Sequence, residues 1–122
     1  MSLHLTPHIL AAAYEYLQKT RPFRAWKLPP ADEVEFGVTR HRDREGDHGT
    51  DARTDGHIIR ASEQYIKTTD DLMQLMAHEM IHAKQHHTKT APRNYDHNAE
   101  FKRLAARVCK EHGWVNVQKF SR

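Results

Sequence analysis

The pentapeptide His78-Glu79-Met80-Ile81-His82 constrains this chain more than any other stretch. Two histidines four residues apart lie on one face of a helix, one turn above the other. That spacing lets two imidazoles grip one metal ion, and the glutamate between them reaches a water bound to the same ion. The chain holds 11 histidines in 122 residues, so the motif needs support from its surroundings. Thr68, Thr69 or Asp70 can cap a helix here, and Asp70 and Asp71 favour its positive end. Leu72, Leu75, Met76, Ala77, Met80, Ile81 and Ala83 make an apolar face broad enough for a buried helix. The spacing predicts that helix over Asp70 to His87.

A catalytic zinc usually takes three protein ligands and keeps a fourth position for water. His78 and His82 supply two, and the third must come from another segment, because one straight helix cannot surround an ion. His86 lies about 12 Å along the axis from His78, so His86 and His87 read as solvent-facing. His97 is the better third ligand: it follows a break at Pro92 and opens the next predicted helix, Asp96 to His112, which Gly113 is placed to end. Glu100 competes, since a carboxylate on a following helix completes some zinc sites. Glu79 is the expected general base, taking a proton from the activated water and passing it to the departing amine. Tyr95, with Arg93 beside it, is the sequence-near candidate for contact with substrate and its developing charge.

The remaining chain reads as mixed helix and strand. Thr6-Pro7 starts a helix with a capping hydroxyl and proline at the first helical position, and Ile9, Leu10, Ala13, Tyr14 and Leu17 carry it to about Lys19. Pro22, Pro29 and Pro30 mark a loop that Phe23 and Trp26 pack onto the core. Val34 to Thr39 alternates like a strand, and His57 to Ala61 reads as a second. Arg42 to Asp55 between them is polar, with Asp43, Asp47, Asp51 and Asp55 at every fourth position, but it does not match a calcium loop. It reads as a mobile loop joining the two strands into an antiparallel hairpin. Trp114 to Val117 reads as a short strand or a packed tail. The fold class expected is α+β, one domain over residues 1–122, with helices on a small antiparallel-containing sheet.

Charge and cysteine usage set the boundaries. Cys109 is the only cysteine, which excludes an internal disulfide and a cysteine zinc ribbon and points to a reducing, cytoplasmic setting. Among Leu104, Ala105 and Val108 it reads as an ordinary buried thiol. No signal-peptide pattern opens the chain, and the longest apolar run, Ile9 to Tyr14, is far short of the roughly 20 residues that span a bilayer. A net charge of +3 permits contact with DNA without demanding it. The basic residues gather in two groups, Lys19 to Lys27 and Lys102 to Arg122, and solvated helix faces account for most such clusters.

Gly37-Val38-Thr39-Arg40, Ile59-Arg60-Ala61-Ser62, His78-Glu79-Met80-Ile81-His82-Ala83 and His97-Asn98-Ala99-Glu100-Phe101 occur in an order that resembles the SprT-like zinc metallopeptidases, which include the Spartan DNA–protein crosslink proteases. The last segment resembles the family's H-G-x-x-F, with Asn98 where glycine is usual. Asparagine tolerates unusual backbone angles, so the exchange is a mild one. The resemblance implies a minimal zincin fold with H-E-x-x-H on a central helix. It implies His78, His82 and His97 as ligands of one Zn2+, Glu79 as the base, Phe101 in the core, and a protein or peptide substrate. On that fold the strand at Ile59, Arg60 and Ala61 is expected to offer an edge for an extended peptide. Two further readings stand beside a general peptidase. One is a DNA-associated binding module with a structural metal, and the other a regulatory zincin that cleaves one partner.

Overall fold

The computed structural model describes residues 3–92 and 97–122. Among them are three α-helices and a three-stranded mixed sheet, so the fold is α+β. Among the described residues no helix is long and apolar enough to cross a membrane.

Helix α1 spans Pro7–Gln18. The Thr6 hydroxyl accepts from the Ile9 amide at 3.1 Å, and proline occupies the first turn, as its sequence predicts. Its apolar stripe of Leu10, Ala13, Tyr14 and Leu17 is buried against helix α2, Thr69–His87. Of the three candidate caps for α2, Thr68 is the one that serves. Thr68 accepts from the Asp71 amide at 3.1 Å, and Asp70 and Asp71 lie in the first turn. All seven apolar residues expected on its inner face are at most 3 % exposed. Helix α3, Ala99–His112, ends at Gly113, whose φ of 74° is the left-handed conformation that closes helices and suits glycine. Phe23 and Trp26 pack edge to face at 4.8 Å and bury the proline loop on the core.

The sheet departs from the sequence reading. Strand β1 is Glu35–Thr39 and strand β3 is His57–Ser62, as expected, but they pair in parallel. The polar stretch between them contains a third strand, β2, Gly46–Thr50, antiparallel to β3. Two chain reversals bring β3 back to the direction of β1, so the order is β1-β3-β2 and no simple hairpin forms. The strand β2 escapes a pattern search because it has no apolar side chain. Gly46, Asp47 and His48 are nonetheless buried, and partners hold them there. Asp47 meets Arg60 at 2.8 Å in register across the ladder and Arg44 at 2.9 Å. Gly46 runs so close to its neighbours that a Cβ would stand 2.6 Å from the Arg60 carbonyl oxygen and 2.8 Å from Leu75 Cδ2.

This order corrects the expected docking edge. Strand β3 is paired on both sides. Ile59 and Ala61 point into the core at 1 % exposure, and Arg60 is tied to Asp47. The edge that faces the motif helix belongs to β2, which packs against α2.

Candidate metal centre

The histidines at 78 and 82 leave α2 on one side, and His97 approaches from just before α3. The ligand nitrogens of the three lie within 4.8 Å of one another. Their ring centroids are 5.1 Å (His78–His82), 4.8 Å (His78–His97) and 5.2 Å (His82–His97) apart.

Neighbouring groups fix each ring. Val117, in the short turn after α3, accepts from His78 Nδ1 at 2.5 Å. A carbonyl can only accept, so Nδ1 carries the hydrogen and Nε2 keeps its lone pair for the centre. Phe101 stacks on His97 at 4.2 Å with an interplanar angle of 9° and also contacts His78 and His82. The start of α3 is pinned to α2 by Gln85, whose Nε2 donates to Asn98 Oδ1 and to Glu100 Oε1, both at 2.9 Å.

Asn98 is not needed here for an unusual backbone angle. Its φ of −76° and ψ of −177° are ordinary extended values, and its side chain caps α3 by accepting from the Phe101 amide at 2.9 Å. Glu100, the competing ligand, is engaged by Thr90 and Gln85, and their hydrogen bonds lower its pKa. It does not join the histidine group. Tyr95 and Arg93 lie outside the described residues.

The environment fits a cation. His78 Nε2, His82 Nε2 and both oxygens of Glu79 are buried with no hydrogen-bond partner among the described residues. A buried polar atom left so costs about 1–3 kcal/mol, and a positive ion on the nitrogens, with water beside the carboxylate, would satisfy them together. Burial holds His78 and His82 neutral, each pushed down to about 3, with neighbouring imidazoles adding to the effect. Neutral imidazole is the form that binds metal. Burial likewise raises the Glu79 carboxyl well above the usual carboxylate range, and the negative charges of Asp47 and Glu45 raise it further.

The match to known proteins agrees with this donor set. The model of the SprT-like family covers residues 12–120. The chain belongs to the SprT-like family. No curated protein matches it significantly. Membership assigns the SprT-like chain a zinc metallopeptidase-type domain, and its three histidines are positioned to hold a metal ion.

A cleft of about 310 Å³ opens beside His82 in this SprT-like domain, between α2 and β2, lined also by His48, Gly49, Thr50 and His86. His87 is exposed as expected, but His86 is only half-exposed and forms part of this wall. Sequence reasoning missed Val117, Gln85 and His48. The first acts through a backbone atom, and the others depend on which segments the fold brings together. Only the abundance of histidine hinted at His48.

Proposed function

We propose that this domain is a zinc-dependent endopeptidase of the minimal zincin type that cleaves extended protein segments. The observation that carries the reading is the meeting of three imidazoles from two segments, with the buried carboxylate of Glu79 in the same helix turn and without a hydrogen-bond partner among the described residues. His78, His82 and His97 would hold the ion. Bound there, zinc supplies Lewis acidity that activates water and polarises a carbonyl. Glu79 takes the proton from the attacking water on a carboxylate oxygen and returns it to the amide nitrogen as the C–N bond breaks. Without an ion, burial and the charges of Asp47 and Glu45 favour the protonated carboxyl, and a cation on the three imidazoles would favour the ionised form that acts as base. Val117 and Phe101 keep the imidazoles in register. The unpaired edge of β2 lines the cleft, and an extended substrate would add to it through main-chain hydrogen bonds.

The substitution Glu79→Gln tests the reading. It keeps the zinc content and lowers peptide cleavage by about 10²- to 10⁴-fold. Undiminished cleavage in that variant would remove Glu79 from the mechanism.

A DNA-associated role, either for the peptidase or for a binding module with a structural metal, is favoured by one feature. Lys102, Arg103, Arg107 and Lys110 are all exposed on α3. Salt-sensitive DNA binding without cleavage of any protein, free or DNA-bound, would select the binding module. Cleavage of a single partner and nothing else would select the regulatory zincin.

A further inference from the structure

We propose that His48, His57 and His86 form a second site for a zinc-class divalent cation beside the first. The histidine stripe of α2 does not stop at the motif. His86 lies one turn beyond His82, on the same face. Where the first two turns meet α3, the third meets the sheet: His48 on β2 and His57 on β3. The centroids of this second trio are 5.0 Å (His48–His57), 5.6 Å (His57–His86) and 6.1 Å (His48–His86) apart. The first trio is tighter at 4.8 to 5.2 Å, and only there do the donor nitrogens all come within 4.8 Å of one another, so the second trio closes on an ion only if the His86 ring turns towards the sheet. His86 is also the most accessible of the three: its side chain is 34 % exposed, whereas His48 and His57 are buried.

The donor chemistry fits. His48 Nε2 and His57 Nδ1 are 2.8 Å apart, a hydrogen-bond distance that must open to roughly 3.3 Å to seat both nitrogens on a tetrahedral zinc. One hydrogen now bridges them. Moving it to the far nitrogen of its own ring frees both lone pairs with no net release of a proton. Asp55 Oδ1 stands 3.1 Å from His86 Nε2, the carboxylate–imidazole pairing that orients a metal-binding histidine through its other nitrogen. Three nitrogens select zinc, nickel or copper over calcium and magnesium, which prefer oxygen. Burial keeps His48 and His57 unprotonated, with repulsion from neighbouring imidazoles adding to it. Because His48 and His86 share the cleft with His82, a cation here would stand in the groove assigned above to substrate. This last consequence rests on the peptidase reading, whereas the site itself does not.

The test titrates metal-free protein with zinc and counts bound equivalents by equilibrium dialysis and metal analysis. Cobalt absorption then reports the nitrogen ligands. Wild type is expected to bind two equivalents, His86→Ala one, His97→Ala one, and the double variant none. His57→Gln, which keeps a polar side chain in the sheet, is expected to match His86→Ala. One equivalent in wild type, or two in both His86→Ala and His57→Gln, overturns the second site and leaves the His48–His57 contact as a hydrogen bond alone. Loss of one equivalent in His86→Ala with no loss in His97→Ala would uphold the second site and sink the first.

Discussion

Helix α2 and strand β2 face the same cleft from opposite sides, yet they are held there by opposite means. The helix has 19 residues, a capping threonine, acidic residues in its first turn and a continuous apolar face in the core. Its own side chains drive it into place. The strand has five residues, Gly-Asp-His-Gly-Thr, none of them apolar. It is held by the ladder to β3, by Arg60 and Arg44 on Asp47, and by His57 on His48. One wall of the cleft is built on hydrophobic burial and the other on polar pairing. The two walls should therefore fail under different insults.

Acid is the harshest of these and strikes both walls. In the metal-free protein His78 and His82 of α2 and His48 of β2 are each pushed down to about 3 from an ordinary 6.5. A depressed pKa means that the unfolded chain takes a proton the folded chain refuses. The stability these groups confer is present above about pH 6.5 and is lost as pH falls towards 3. Three such groups at about 1.4 kcal/mol per unit give a slope of up to about 4 kcal/mol per pH unit. By about pH 5 the loss reaches up to about 6 kcal/mol, enough to unfold a domain at the low end of the ordinary stability range of about 5–15 kcal/mol. Circular dichroism melts of metal-free protein from pH 7 to 4 measure the slope, and a flat profile would refute it.

A smaller effect separates the walls. In Gly46→Ala the new Cβ meets the Arg60 carbonyl oxygen at 2.6 Å, so β2 must shift. Overpacking of this kind costs about 1–3 kcal/mol. Amides of β2 should lose hydrogen-exchange protection while the interior of α2 keeps its own. Equal loss in both would show that the strand and the helix form one cooperative unit and would erase the contrast. Asp47→Asn sharpens it chemically. Removing a negative charge that raises the Glu79 carboxyl lets Glu79 ionise at lower pH. The acid limb of kcat/KM for peptide cleavage should then move to lower pH, and a shift the other way would deny the coupling of β2 to the base.

The same contrast explains what the sequence revealed. Helix α2, its cap, its buried face and the His97 approach were all legible, because each leaves a mark at fixed spacing along the chain. Strand β2 was not. A strand is recognised by alternation of its own side chains, and the burial of this one is decided by residues outside it, such as Arg60 against Asp47, 13 positions away. With β2 hidden in a polar loop, the alternating patterns of β1 and β3 suggest an antiparallel hairpin, and β3 then looks like a free edge. Val117 was invisible in another way: it orients His78 through a carbonyl that every residue type possesses.

The smallest expected effect lies on the helical side. Asn98 caps α3 through Phe101 and receives a hydrogen bond from Gln85, so it joins the segment carrying His97 to the motif helix. Removing a cap with alanine costs about 1 kcal/mol, whereas glycine costs only a few tenths. Asn98→Gly would restore the residue usual in the H-G-x-x-F pattern and should therefore be nearly neutral in thermal melts, with Asn98→Ala clearly lower. Zinc content should stay unchanged in both, because Gln85 still holds Glu100. Loss of the ion in Asn98→Gly would mean that the side chain, and not the helix start it caps, places His97. The metal centre would then depend on polar pairing as much as β2 does.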